Sequence, residues 1–190
     1  MELVFASNNI YKLKEIRKLT GEGYEIRTLN DIGCIDELPE TGDTIEENAL
    51  QKARYVFDHF KINCFADDSG LEIDALNGEP GVHSAFYAGL PRNDENNIQW
   101  VLEKLKHVQN RKARFKTVIA LIENDKQFLF EGLLQGTIAD VPRGSNGFGY
   151  DPIFIPEGDN RTLAELTADE KNKISHRGRA VAKLVQYLKV

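Results

Sequence analysis

Apolar residues along the chain recur in two patterns, as short continuous runs and as stripes at helical spacing. Residues 3–6 form an apolar run that predicts a strand, and this strand ends at the polar residue Ser7. The next apolar residues, from Ile10 to Leu19, recur every three positions and predict a helix. The N-terminal segment is therefore expected to fold as a strand, a polar turn and a helix.

The rest of the chain predicts further strands and helices by the same two patterns. The predicted strands are residues 24–29, 62–66, 113–122 and 128–139, and the predicted helices are residues 45–60, 94–107 and the stripe from Val181 to Leu188. Thr44 and Glu47 have the form of a capping box at the start of the longest helix. Asn124-Asp125 marks a hairpin turn. Residues 141–156 are expected to form an irregular loop.

Strands and helices alternate without an internal repeat or a flexible linker, which predicts one compact domain of mixed α/β class over residues 1–190. A cleft between two lobes, with the two long strands at its rim, is compatible with this pattern.

Composition narrows the class of protein. The 190 residues are 41% hydrophobic and 28% charged, as in an ordinary globular chain. A net charge of −6 argues against a protein that coats nucleic acid, because such a surface needs unpaired lysine and arginine. The longest apolar run, residues 118–122, is far shorter than the roughly 20 residues that span a bilayer. The N-terminus has no secretory signal pattern, so we expect a cytoplasmic protein without membrane partners.

Cys34 and Cys64 have neither a CxxC nor a Cys/His spacing. A zinc site is therefore not expected, and neither is a structural disulfide in a reducing compartment. Both thiols are expected to be buried.

A first candidate motif is Ser7-Asn8-Asn9 with Lys12, where a strand ends and a helix begins. The backbone N–H groups and the dipole at a helix N-terminus attract anions, and the Lys12 ammonium would neutralise a phosphate held there. The alternative is that Ser7 or Asn8 simply caps the helix and that Lys12 is solvated.

A second candidate is the acidic pair in Asp67-Asp68-Ser69-Gly70, together with Glu40 in the loop before the long helix. Adjacent strand residues point to opposite faces, so the two aspartates are expected to have different roles. One aspartate and Glu40 would suffice for Mg²⁺, which completes its shell with water and phosphate oxygens. The alternative is a solvated acidic turn.

A third candidate is the loop at residues 142–152, in which glycines surround Phe148 and Tyr150. Glycine lets the backbone approach a flat ligand, so Phe148 could stack on a base and Asp151 could accept a hydrogen bond. The alternative is that the two aromatic side chains anchor the loop to the core.

A fourth candidate is the donor cluster Lys171, Ser175, His176, Arg177 and Arg179. Lysine and arginine only donate hydrogen bonds, so they would bind the keto oxygen of a purine and disfavour an amino group in its place. The alternative is that these residues are only charged side chains at the start of a helix, together with a histidine that has hydrogen-bond partners within the protein.

In combination, these motifs resemble those of the inosine triphosphate pyrophosphatase family, which removes non-standard purine nucleoside triphosphates. The segments that carry the resemblance are Ser7-Asn8-Asn9-x-x-Lys12, Pro39-Glu40-Thr41-Gly42, Ala66-Asp67-Asp68-Ser69-Gly70-Leu71, Phe148-Gly149-Tyr150-Asp151 and Ser175-His176-Arg177-Gly178. The resemblance extends from near Leu3 to near Leu188. It implies an elongated, twisted mixed sheet with flanking helices, two lobes around a central cleft, and a homodimer.

The resemblance also implies a reaction, in which water attacks the α-phosphorus of ITP, dITP or XTP in the presence of Mg²⁺ and releases the monophosphate and pyrophosphate. It implies that Asp68 is the general base and also contacts the metal, with Glu40 as the second metal carboxylate. The implied substrate contacts are Ser7, Asn8, Asn9, Lys12, Ser69, Phe148, Gly149, Tyr150, Asp151, Lys171, His176 and Arg177.

Three other functions remain open from the sequence. Two are enzymes, a related nucleotide pyrophosphatase that prefers pyrimidines and a general metal-dependent phosphohydrolase. The third is a sensor that binds a nucleotide without hydrolysing it. The presence of Glu40, Asp67 and Asp68 disfavours the sensor. A glycosidase would leave Lys12 and the donor cluster without a role.

Overall fold

The computed structural model describes residues 2–189, with the backbone only at Glu2, and shows the predicted mixed α/β fold. Within these residues the strands are β1 (Glu2–Phe5), β2 (Glu25–Arg27), β3 (Cys64–Ile73), β4 (Lys112–Glu123), β5 (Lys126–Ile138) and β6 (Phe154–Pro156). The helices are α1 (Ile10–Thr20), α2 (Ile45–Phe60), α3 (Asp94–Lys104), α4 (Ala168–Ile174) and α5 (His176–Leu188). The six strands form one twisted sheet in the order β2-β1-β3-β4-β5-β6, with the helices flanking it.

The predicted strand–turn–helix unit at the N-terminus is confirmed. Strand β1 is parallel to both of its neighbours, with Leu3 opposite Ile26 of β2 and Phe5 opposite Phe65 of β3. Parallel neighbours need a crossover connection, which α1 provides between β1 and β2. The carboxyl end of β1 therefore leads directly into the N-terminus of α1.

Strand β3 is longer than predicted, because it continues through the acidic pair to Ile73. Asp67 and Asp68 lie in the middle of a ten-residue strand that has β1 on one side and β4 on the other. The prediction that the strand ends at Ala66 is therefore wrong, and so is the alternative of a solvated acidic turn. Strand β1 pairs with β3 at Cys64 and Phe65, so the acidic pair lies just beyond the end of β1.

The predicted hairpin is confirmed at Asn124 and Asp125, whose φ angles of +50° and +65° suit a tight turn between β4 and β5. Strand β6 was not predicted, because residues 141–156 show no alternation. It exists through antiparallel pairing with β5, where Thr137 lies opposite Ile155. A Cβ at Gly136 would lie 2.2 Å from the Ile155 carbonyl oxygen, so glycine permits this approach.

The chain divides into two compact units. The first unit runs up to Asp68 and adds Thr117–Gly132 and the chain from Arg177 onward. Its core contains Phe5, Ile16, Phe65, Ile119, Leu121, Val181 and Leu184. The second unit consists of Ser69–Lys116 and Leu133–His176. Its core contains Leu71, Ile73, Val101, Phe115, Ile153, Phe154 and Leu163.

Cys34 and Cys64 are buried free thiols, as predicted. None of the helices in the described part of the chain is long and apolar enough to cross a membrane.

Candidate functional site

In the first unit, the turn between β1 and α1 forms a short polar segment. Asn9 is the N-cap of α1, and its Oδ1 accepts hydrogen bonds from the backbone N–H groups of Tyr11 at 3.0 Å and Lys12 at 3.2 Å. Ser7 Oγ accepts a hydrogen bond from Asn9 N at 3.2 Å. The cap is therefore Asn9, not Ser7 or Asn8 as the capping alternative supposed, while Asn8 is exposed.

Lys12 lies one turn inside α1 and is directed at the acidic pair of β3. Its Nζ lies 3.1 Å from Asp67 Oδ1, and the side chain is only 13% exposed. Burial lowers the pKa of the Lys12 ammonium, although Asp67 and Asp68 act in the opposite direction. Lys12 is therefore a buried cation and not the solvated lysine of the alternative interpretation.

Asp67 is fully buried and is held by two cations. In addition to Lys12, the Nε of Arg177 lies 3.1 Å from Asp67 Oδ2. Arg177 is itself buried and forms a second ion pair with Glu15 of α1. Burial alone would raise the pKa of Asp67, but Lys12 and Arg177 hold it well below its usual range. Asp67 is consequently a permanent anion at neutral pH.

Asp68 has a different partner. Its Oδ1 lies 3.3 Å from the Nζ of Lys52, a buried residue of α2. The pKa of Asp68 is raised, because the burial of the carboxylate outweighs the attraction of Lys52 and Lys12. Two adjacent carboxylates thus have opposite pKa shifts and different cationic partners.

Lys52 is the main residue that the sequence analysis missed. Its ammonium contacts Glu40 as well as Asp68, so one lysine joins the two acidic segments. Burial lowers the pKa of Lys52, but the two carboxylates outweigh it and the net shift is upward. The available signal was its position on α2, because Lys52 lies between Ala49 and Ala53 on the stripe that faces the core.

The loop that carries Glu40 is fixed against α2 by two backbone hydrogen bonds. Thr41 N donates to Gln51 Oε1 and Gly42 N donates to Asn48 Oδ1, both at 2.8 Å. A Cβ at Gly42 would lie 2.6 Å from the Cβ of Glu47, so this close approach requires glycine. Glu40 is thereby held where its carboxylate reaches Lys52.

Glu40 and Asp68 fit a Mg²⁺ ion, because their carboxylates already converge on one cation, the Lys52 ammonium. Within residues 2–189 no group of three or more histidine, cysteine, aspartate or glutamate side chains is placed to hold a metal.

In the second unit, the loop at Gly147–Asp151 folds around the Asp151 carboxylate. Asp151 Oδ2 accepts hydrogen bonds from Lys171 Nζ at 2.7 Å and from Phe148 N at 2.9 Å. Lys171 Nζ also lies 4.8 Å from the centroid of the Phe148 ring. A Cβ at Gly147 would lie 2.0 Å from Asp151 Oδ2, so only glycine leaves room for the carboxylate. Phe148 remains partly exposed.

Tyr150 is buried in the second unit and donates from its hydroxyl to the Ser84 carbonyl oxygen at 2.7 Å. Tyr150 therefore anchors the loop to the core. The alternative interpretation expected this role for both aromatic side chains. Gly149 donates from its backbone N–H to Asp94 Oδ2 at 2.9 Å.

The donor cluster is divided between the two units. Lys171 and His176 belong to the second unit, where the His176 ring stacks on Phe115 with the ring centroids 4.7 Å apart. Arg177 belongs to the first unit and pairs with Asp67 and Glu15. Ser69 follows Asp68 on β3 and is partly buried. Neighbours in sequence thus contact different groups.

The chain as a whole is similar to known proteins. The model of the Ham1 family matches residues 3–187. The chain is 51% identical over 188 residues to the dITP/XTP pyrophosphatase of Flavobacterium johnsoniae, covering 99% of this chain and 98% of that protein. It is 52% identical over 188 residues to the dITP/XTP pyrophosphatase of Christiangramia forsetii, covering 99% of each. Among solved structures, the Ham1 protein of Staphylococcus aureus has a TM-score of 0.92 and 40% identity, covering 100% of this chain and 98% of that one.

Proposed function

The chain belongs to the Ham1 family, and on this basis we propose that it hydrolyses dITP, XTP and ITP to the monophosphate and pyrophosphate. The observation that carries the mechanism is the division of the acidic pair: Asp67 is bound by Lys12 and Arg177, while Asp68 contacts Lys52 and has a raised pKa. One carboxylate thus has a structural role, and the other is suited to proton transfer.

Asp68 is the proposed general base, which takes a proton from the water that attacks the α-phosphorus. A general base works best when its pKa is closer to the working pH, and burial shifts the pKa of Asp68 in that direction. Asp67 is unsuited, because each of its oxygens contacts a cation and its pKa is depressed.

The N-terminus of α1 is the proposed site for the triphosphate. Its helix dipole and the side chains of Ser7, Asn8 and Asn9 suit an anion, and Lys12 adds a buried positive charge. Because burial lowers the pKa of Lys12, a nearby phosphate would stabilise the charged form of this ammonium.

Mg²⁺ is the proposed cofactor, with Glu40 and Asp68 as its protein ligands. When bound, the ion would neutralise charge on the phosphates and on the leaving pyrophosphate. Lys52 contacts both carboxylates and so keeps them close together, which suits the binding of a divalent cation.

The loop at Gly147–Asp151 is the proposed site for the base. Phe148 offers an aromatic face for stacking, and Lys171, held by Asp151, offers N–H donors for a keto oxygen. Donors that hydrogen-bond to a 6-keto oxygen would leave a 6-amino group without a partner, so this site would discriminate against adenine. His176 and Arg177 remain proposed base contacts, with two nitrogens of Arg177 already engaged by Asp67 and Glu15.

A homodimer, which the family resemblance implies, and a cytoplasmic location are further proposals. Several large apolar side chains of the second unit are exposed, which supports association with another copy. These residues are Phe86, Leu90, Trp100 and Val141. Light scattering on the purified protein would test the dimer.

The direct test is to incubate the purified protein and Mg²⁺ with dITP, XTP, GTP, ATP or dTTP and to separate pyrophosphate from orthophosphate. We expect pyrophosphate from dITP and XTP and little from ATP, with no product when the metal is chelated. Orthophosphate would move the attack to the γ-phosphorus and contradict the mechanism. A preference for dTTP would favour the pyrimidine enzyme, and tight binding without product would favour the sensor.

A further inference from the structure

The loop at Gly147–Asp151 is hydrogen-bonded to Asp94, a residue outside the loop that belongs to none of the sequence motifs. The backbone N–H of Gly149 donates to Asp94 Oδ2 at 2.9 Å. Asp94 is the first residue of α3, directly after the N-cap Asn93. Its other oxygen, Oδ1, accepts a hydrogen bond from Arg92 Nε at 3.1 Å. Asp94 thus joins a helix N-terminus to the loop that carries Phe148.

This contact controls a peptide unit next to the proposed stacking residue. Gly149 has a φ of +61°, in the left-handed region, and Gly147 has a φ of +78°. Phe148 lies between these two glycines, and its own N–H donates to Asp151 at 2.9 Å. The backbone N–H groups of Phe148 and Gly149 therefore donate to two different carboxylates. The orientation of the Phe148 ring depends on both hydrogen bonds.

Asp94 is a firm anchor, because α3 is attached to the second unit by hydrogen bonds of its own. Asn97 Oδ1 accepts a hydrogen bond from Ala88 N at 2.8 Å, and Asn97 Nδ2 donates to the Ala85 carbonyl oxygen at 3.0 Å. The buried residues Ile98 and Val101 pack in the core of the unit. Helix α3 would therefore stay in place if the loop moved, and the hydrogen bond between Gly149 and Asp94 would break.

We propose that Asp94 is a positioning residue for base recognition: it holds the Gly149 peptide so that Phe148 and Lys171 keep the arrangement that accepts a keto purine. The inference rests on the proposed function, because it assigns the base to this loop. Asp94 acts through the loop, so its loss should affect KM and base selectivity more than kcat.

A simpler role for Asp94 is stabilisation of α3 by a negative charge near the helix N-terminus. Glu95 shares that position in the first turn and is exposed, which makes it a matched control. If helix charge were the whole role, Asp94→Ala and Glu95→Ala would lower the melting temperature alike, and neither would change KM.

The experiment compares Asp94→Ala, Asp94→Asn and Glu95→Ala with the wild type, using kcat and KM for dITP and for ATP. Asp94→Ala should raise KM for dITP by about tenfold, because a hydrogen bond to a charged acceptor is lost. We expect kcat to stay within about threefold, since no group at the phosphates changes. Asp94→Asn should rescue KM, because the amide oxygen of asparagine can take the place of Asp94 Oδ2 and accept the Gly149 N–H. Glu95→Ala should behave as the wild type.

Hydrogen exchange on the same proteins gives a readout that does not depend on turnover. The peptide containing Gly149 should exchange faster in Asp94→Ala and at the wild-type rate in Glu95→Ala. If the wild type is active and Asp94→Ala has the same KM and the same exchange rate as the wild type, the positioning role is overturned. An Asp94→Asn variant as impaired as Asp94→Ala would also overturn it. A wild type that does not hydrolyse dITP would instead overturn the proposed function, and the inference with it.

Discussion

The ammonium of Lys52 lies 3.3 Å from Oδ1 of Asp68, and the two side chains are only 5% and 12% exposed. Lys52 comes from α2 and Asp68 from β3, so the pair joins a helix to the sheet. A buried carboxylate is costly to ionise unless a cation is close by. Lys52 therefore supports the charged state of the residue that we propose as the general base.

Replacement of Lys52 should destabilise the protein by leaving a buried charge uncompensated. We expect Lys52→Met to lower the free energy of unfolding at pH 7 by about 3 kcal/mol, as is typical when one partner of a buried ion pair is removed. The double variant Lys52→Met/Asp68→Asn should lose less, because it removes the buried charge of Asp68 and leaves only the more exposed Glu40 without its lysine. Urea denaturation of the two single variants and the double variant measures this coupling. Strictly additive losses would contradict it.

Asp68→Asn should abolish turnover while the fold is retained. Loss of a general base typically lowers kcat by about 10²- to 10⁴-fold. Asp67→Asn is the informative control, because it should chiefly lower stability by leaving Lys12 and Arg177 without their carboxylate. Circular dichroism and steady-state kinetics on both variants check the assignment. Full activity in Asp68→Asn would remove Asp68 from the role of base.

Lys12→Ala should weaken triphosphate binding. The loss of a charge-assisted contact is expected to raise KM for dITP by about tenfold or more, with no change in the affinity for deoxyinosine, which has no phosphate. Lys14→Ala provides a matched control, since Lys14 is an exposed lysine on the same helix. An equal effect of the two variants would mean that overall charge, and not the position of Lys12, is responsible.

The stability of the first unit should fall at alkaline pH because of Cys64. Burial raises the pKa of the Cys64 thiol to about 12 from its ordinary 9.0. Above pH 9 the unfolded chain releases this proton and the folded chain keeps it, so unfolding becomes easier as the pH rises toward 12. This one thiol should contribute a slope of about 1.4 kcal/mol per pH unit.

Urea denaturation of the wild type and of Cys64→Ala between pH 8 and 11 measures this slope. The variant leaves a small cavity, which lowers its stability at every pH, so only the difference in slope is diagnostic. Parallel pH profiles for the two proteins would show that the thiol does not titrate as described.

Local sequence rules predicted much of the fold. The β1–α1 unit, the capping box of Thr44 and Glu47, and the hairpin at Asn124 follow from neighbours a few residues apart. Strand β6 and the second half of β3 were missed, because their conformation depends on pairing with strands that are distant in sequence. A short segment with no periodicity carries no signal of such a partner.

For the candidate site, the motifs offered candidate residues but gave no indication of their partners. Nothing in the sequence around Lys52 or Asp94 links them to Asp68 or Gly149, which are far along the chain. Glu15 likewise appears as one charge on a helix, yet it pairs with Arg177. Pairing of this kind is a property of the folded chain.

The sequence by itself determined the fold class, the family and the types of side chain available for chemistry, because these depend on local pattern and on residue identity. Only the tertiary structure decided that Asp67 is locked between Lys12 and Arg177 while Asp68 keeps a raised pKa. The reason is physical: the ionisation of a buried carboxylate depends on its distance to charges from other elements and on its loss of water. Both quantities arise only when α1, α2, β3 and α5 come together.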